Sequence, residues 1–156
     1  MKTRAKKCGF TLVEMMISVV SAAILSLTVI LILFMTYREW RTNNEYAQLR
    51  RDAALAVEMM SREVRETTFA DIIAVEPTLV LPANAVRPYA ITFQQNPFNS
   101  TLHYFTNGVF AGLIIPEGVG RFNPMAVNNG VRLHLELANA DGSIIVTNET
   151  FIRTRN

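Results

Sequence analysis

The spacing of apolar and polar positions divides the chain into three regions. From Met15 to Tyr37, 23 residues pass without a charge, a run that as helix extends about 35 Å and is long enough to cross a bilayer. Beyond it, Tyr46, Leu49, Ala53, Ala56, Val57, Met60 and Val64 recur three and four residues apart, while Arg50, Arg51, Asp52, Glu58, Arg62, Glu63 and Arg65 fill the other faces. That period predicts an amphipathic helix. No proline or glycine lies between Phe10 and Glu76, so both segments are predicted as one helix from Phe10 to about Thr68. Thr67 and Thr68, then the extended signals at Ile72, Ile73 and Val75, end the pattern. Arg41 and Glu45, Glu58 and Arg62, and Arg62 and Glu66 are oppositely charged and four apart, which predicts weak surface pairs.

After Pro77 the period shortens. Strands are predicted at Thr78 to Leu81, Tyr89 to Gln94, Thr101 to Phe105, Val109 to Ile115, Val131 to Ala138 and Ser143 to Phe151. In the fifth, Val131, Leu133, Leu135 and Leu137 alternate with Arg132, His134 and Glu136, which requires one buried and one wet face, with His134 toward solvent. Asn107-Gly108 and Asp141-Gly142 are turn signals. The polar stretch Glu117 to Gly130 reads as a connecting loop and as a candidate recognition surface. A sheet with one apolar face needs a cover, and the amphipathic helix is the long element able to supply it. The expected class is α+β, a long N-terminal helix packed on a C-terminal antiparallel sheet.

Charge changes the picture at the start of the chain. The pI near 8.9 suggests an anionic partner, yet every lysine lies in the first seven residues, with Lys2, Arg4, Lys6 and Lys7 forming a basic leader. After Gly9 there remain 11 arginines against 13 acidic side chains. Leader cations hold an N-terminus on the cytoplasmic side of a membrane. Tyr37 and Trp40 mark the opposite interface, so residues from about Arg41 onward are expected outside. A conventional secretory signal would have a shorter apolar region and a small-residue cleavage site at its end.

Between leader and apolar run stands Gly9-Phe10-Thr11-Leu12-Val13-Glu14, preceded by Lys6-Lys7-Cys8. This stretch resembles the processing site of type IV prepilins and type II secretion pseudopilins, and the resemblance covers about Lys6 to Val20. It implies a pilin-like fold, cleavage by a prepilin peptidase between Gly9 and Phe10, and N-methylation of Phe10. It also implies that Glu14, with the amine of a neighbour's Phe10, forms an assembly contact. Val13 departs from the commoner isoleucine or leucine, and Leu31 stands where many major pilins have a kinking proline, which points toward a pseudopilin or minor pilin. The segment Leu55 to Arg65 is similar to the helix end of J-class minor pseudopilins. Cys8, the single cysteine, would leave with the leader, so the mature chain would form no disulfide.

The resulting organisation is a prepilin leader over residues 1–9, a transmembrane and assembly helix over 10–37, an amphipathic helix and connection over 38–76, and a periplasmic β-rich domain over 77–156. Expected partners are other pilin or pseudopilin subunits, the prepilin peptidase, an inner-membrane assembly platform and the lipid bilayer. Ser18, Ser21, Ala22, Ala23, Ser26 and Thr28 put small side chains where helices can approach closely. No catalytic residue, cofactor or metal is expected. His103 and His134 lack second ligands at metal spacing, the acidic residues form no calcium-loop pattern, and no phosphate-binding or nucleophile motif occurs. The arginines do not cluster with aromatics, so no direct nucleic-acid contact is expected. The alternative is a bacterial inner-membrane anchor carrying a periplasmic binding module that enters no filament.

Overall fold

The computed structural model describes residues 11–154. Its elements are helix α1 (Leu12–Arg65), one 3-10 turn (Phe69–Asp71) and eight strands: β1 (Ile73–Val75), β2 (Thr78–Leu81), β3 (Ile91–Asn96), β4 (Thr101–Thr106), β5 (Val109–Ile115), β6 (Val119–Val127), β7 (Gly130–Ala138) and β8 (Ile145–Arg153). The class is α+β, as the periodicity requires. Two compact units meet in the chain at Arg41 and Thr42.

The described part of the first unit is the N-terminal part of α1, uncharged from Met15 to Tyr37. Every position from Leu12 to Arg41 is exposed, and among the described residues this is the one helix long and apolar enough to cross a membrane. An exposed surface of leucine, isoleucine, valine and phenylalanine on all sides demands an apolar surrounding.

In the second unit the rest of α1 joins the strands in one core. Ala53, Ala56, Val57, Met60 and Val64 are buried with Leu79, Leu81, Ile91, Phe93, Leu102, Ile115, Phe122, Leu133, Leu135 and Leu137. Leu49 packs partly against this cluster, while Tyr46 stays exposed. The stripe is therefore narrower at its start than the sequence pattern predicts. One buried position falls outside the apolar pattern altogether: Glu63.

Strands β1 to β5 form an antiparallel sheet in chain order, and β6, β7 and β8 form a second one. Sequence alternation decides the faces. In β7, Val131, Leu133, Leu135 and Leu137 are buried, and the residues between them are exposed or half-buried. Asn107 and Gly108 both have positive φ (51° and 77°) and close the two-residue turn between Thr106 and Val109, the geometry that matches strand twist. Gln95 joins the sheets. Its Nε2 donates to the carbonyls of Val119 (3.0 Å) and Gly120 (3.2 Å), and its Oε1 accepts from the Phe122 N–H at 2.9 Å.

Three expectations about elements are corrected. The Glu117 to Gly130 segment is largely strand β6, paired with β7 from Val119↔Leu137 to Val127↔Gly130, so it is no free loop surface. A register shift between Val119 and Arg121 breaks its alternation, and Pro124 sits in its middle. Proline is tolerated because β6 is an edge strand, where a missing N–H costs no ladder bond. Helix α1 ends at Arg65, short of Thr68: the Thr67 hydroxyl turns back to the Glu63 carbonyl at 2.9 Å, and the chain passes into the 3-10 turn. Strand β3 starts at Ile91, because the segment before it is held by the side-chain contacts of Arg87 and Asn107.

Candidate functional site

Gly9 and Phe10, expected as the cleavage and methylation positions, lie outside the described residues, as does Cys8. Glu14 is described, and its surroundings follow from the sequence around it. Thr11 stands directly before α1, and its carbonyl accepts the first helical bond from the Met15 N–H at 3.2 Å. It is the N-cap. The Glu14 N–H donates to Thr11 Oγ1 at 3.3 Å, and Glu14 Oε2 accepts from the Thr11 backbone N–H at 2.8 Å and hydroxyl at 3.0 Å. A threonine and a glutamate three positions apart thus satisfy each other's free groups at a helix start, the reciprocal capping box.

Sequence reasoning assigned Glu14 a partner on another chain and missed this one on its own. The signal was present as Thr-x-x-Glu ahead of an apolar run. In an apolar surrounding an unpaired carboxylate is costly, and the box supplies two donors to one of its oxygens. No other acidic residue lies on α1 before Glu39.

The small polar residues that follow are also provided for internally. Ser18 Oγ donates to the Glu14 carbonyl at 2.8 Å, Ser26 Oγ to Ala22 at 2.8 Å, and Thr28 Oγ1 to Ile24 at 2.9 Å. Back-bonding to the carbonyl four residues earlier leaves these hydroxyls with their proton already committed. What they offer a neighbouring helix is a small profile rather than a free donor.

In the second unit the polar side chains serve the fold. The guanidinium of Arg87, whose side chain is 3% exposed, donates to Glu63 Oε2 at 3.0 Å. It also bonds Thr67 Oγ1 at 3.2 Å and the carbonyls of Pro82 at 2.9 Å and Tyr89 at 3.1 Å. Asn84 adds a bond from Nδ2 to the Glu66 carbonyl at 2.8 Å, capping the end of α1. This clamp was illegible in the sequence, since Glu63 and Arg87 are 24 positions apart. Of the charge pairs expected on α1, Arg62 instead meets its neighbour Glu63 at 3.4 Å.

On the surface, Arg121 binds Glu76 through two bonds of 2.9 and 3.0 Å. Hydrogen bonding from Arg121 holds the Glu76 carboxyl below its ordinary value, and the same contact raises Arg121. Asp141 is likewise held low by the Ser143 hydroxyl (2.6 Å) and backbone N–H (2.9 Å), both donating to Oδ1 within its own turn. His103 contacts Thr101 at 2.8 Å and lies against Phe105 and Phe110. His134 is half-buried on the wet face of β7, opposite Glu149 and Asn123. Among the described residues, His, Cys, Asp and Glu form no group of three suited to a metal ion.

No protein-family model, curated protein or solved structure matches the chain.

Proposed function

We propose that this protein is a structural subunit of a pilin-like filament, inserted in the bacterial inner membrane with its β-rich domain in the periplasm. The observation that carries the reading is the division of α1. Its first thirty residues, uncharged from Met15 to Tyr37, are exposed on every side, while one face of its second part is buried against the antiparallel strands. A helix of that kind can sit in lipid and later exchange lipid for equivalent helices of neighbouring subunits. The motif at Gly9 to Glu14 supports the narrower assignment to a minor pseudopilin of type II secretion or a minor pilin of a type IV pilus-like filament.

In this reading a prepilin peptidase removes residues 1–9 and Phe10 becomes the methylated N-terminus. The Glu14 carboxylate then meets the Phe10 amine of a neighbour, a pairing favoured by the low dielectric around it. An inner-membrane platform performs the assembly, and the protein itself is not an enzyme. Intact mass of the membrane-extracted protein tests the route. Loss of Met1 to Gly9 with gain of one methyl group is expected, and replacing Gly9 with a bulky residue should leave the precursor uncut. A full-length, unmethylated wild-type chain would refute it.

A second reading, a membrane-anchored binding module outside any filament, draws on a different observation. Ile73, Val75, Phe105, Phe110 and Leu113 project from the uncovered face and edge of the five-stranded sheet, most of them more than half exposed. Exposed apolar surface of this kind serves protein contacts. The full-length mass result would favour that reading.

A further inference from the structure

Alternation in β7 and β8 sends Arg132, Phe151 and Arg153 to the wet face of the three-stranded sheet. With Val127 and Asn128 they line a cavity of about 390 Å³, within the range of small-molecule sites, about 300–1,000 Å³. Strand register explains the meeting. Arg132 stands opposite Phe151, and Gly130 opposite Arg153. Gly130 has no side chain, and the Phe151 ring occupies the space one would need: a Cβ there would fall 2.6 Å from Cζ and 2.8 Å from Cε2. The ring therefore lies over Gly130, flanked along β7 by Arg132 and across the pair by Arg153, and Phe151 is still 51% exposed.

The cleft is held by the sheet. Thr154 pins the end of β8, donating to the Asn129 carbonyl from its N–H at 3.1 Å and from its hydroxyl at 2.8 Å. Arg153 is thereby kept beside the Asn128-Asn129 turn, whose residues both have positive φ (44° and 62°). No acidic side chain lines the cavity. Among the described residues Arg153 pairs with no carboxylate, and Arg132 approaches Glu149 at 3.7 Å, between exposed groups. That separation is too long for a hydrogen bond, and an exposed pair of this kind is worth little.

We infer that this cleft binds a nucleotide unit, its phosphate on the guanidiniums of Arg132 and Arg153 and its base against the Phe151 ring. Guanidinium forks match phosphate oxygens in pairs, and a base stacks on an aromatic ring whatever its identity. An acidic peptide would use the arginines and leave the ring without a planar partner. An apolar one would cover the ring and desolvate two unneutralised charges. The expectation of no nucleic-acid contact came from sequence order, in which Arg132 is remote from Phe151 and Arg153; only the register of β7 and β8 interleaves them. The site is independent of the filament reading.

The test uses the full chain in detergent and two probes: a fluorescently labelled unpaired thymidine strand, followed by anisotropy, and adenosine monophosphate, followed by ligand-observed NMR. An abasic strand of equal length supplies phosphates without bases. Arg132→Gln and Arg153→Gln are each expected to weaken binding about tenfold, as loss of a charge-assisted bond does. Phe151→Leu should weaken the thymidine strand about tenfold and leave the abasic strand unchanged, while Phe151→Tyr keeps a ring and should bind like the parent. Arg65→Gln removes an exposed charge at the end of α1 and should change nothing. Unchanged melting midpoints establish that each variant is folded.

These losses with either probe bear the proposal out, and the probe that binds tells a free nucleotide from one within a strand. An equal loss in Arg65→Gln would reduce the effect to net charge and overturn the site. So would a Phe151→Leu variant that binds the thymidine strand normally, or that loses the thymidine and abasic strands alike. Hexaglutamate binding as tightly, with the same variant losses, would overturn the nucleotide assignment, as would no binding of either probe.

Discussion

In the first half of α1 the polar side chains turn back on their own helix, whereas in the second half they reach across to other elements. Ser18, Ser26 and Thr28 each bond a carbonyl four residues earlier, and Glu14 bonds Thr11. Glu63, by contrast, meets Arg87, and Asn139 donates to Glu45 at 3.1 Å. The difference is the one expected if the first half lies in lipid and the second in the protein. A helix in hydrocarbon has no polar neighbour to rely on, so groups that cannot be satisfied within it are excluded. Inside a protein the fold can bring a partner from anywhere in the sequence, and even a charge becomes tolerable once its hydrogen bonds are complete.

The sharpest way to break the comparison is to remove one member of the buried pair. Arg87→Met leaves Glu63 buried without its cation, and a loss of about 4 kcal/mol is expected from chemical denaturation of the detergent-solubilised chain. A loss under about 1 kcal/mol would mean that the pair is not buried in solution.

Next in size is the apolar contrast. Met60 is fully buried, whereas Ile24 is 61% exposed. Met60→Ala should cost the domain about 3 kcal/mol, whereas Ile24→Ala should leave its denaturation midpoint unchanged. Equal effects would sink the idea that the two halves of α1 answer to different surroundings.

A smaller effect is expected at the junction of the sheets. Gln95→Leu strands the Phe122 N–H and two carbonyls, for about 2 kcal/mol. Hydrogen exchange should show the loss first at Phe122, and unchanged protection there would count against the bridge.

The smallest effect concerns pH. Glu76 is depressed in the folded state by Arg121, so its contribution is complete above its ordinary value of 4.5 and disappears as pH falls through the lower folded value. A modest acid-side loss of stability should therefore vanish in Glu76→Gln. If the variant and the parent share one acid profile, the exposed pair contributes nothing measurable, as surface pairs often do.

The sequence disclosed whatever has a short period or a local motif. The alternation of β7, the Asn107-Gly108 turn and the stripe from Ala53 to Val64 were all legible because each is decided by neighbours within a few positions. Strand β6 was hidden because a shifted register at Gly120 and a proline at position 124 remove the period-two signal, although Asn128 and Asn129, both at positive φ, supply a hairpin turn beside it. Glu63 was hidden for the opposite reason. Nothing near it in the chain says that a loop arginine will arrive. At the candidate site, the Thr11 to Glu14 spacing was readable as a capping box, but the resemblance drew attention to a partner outside the chain.

Pro124 also has a bearing on how this protein behaves among copies of itself. Chains anchored by such a helix would share a thin layer at high local concentration, and a long free strand edge there would be a template for irregular association. Pro124 is itself buried, and Gln95 of the other sheet already occupies the outer edge of β6 at Val119, Gly120 and Phe122, so that edge offers a foreign strand no continuous ladder. The residue that concealed the strand from sequence reading thus lies on an edge that the fold itself covers.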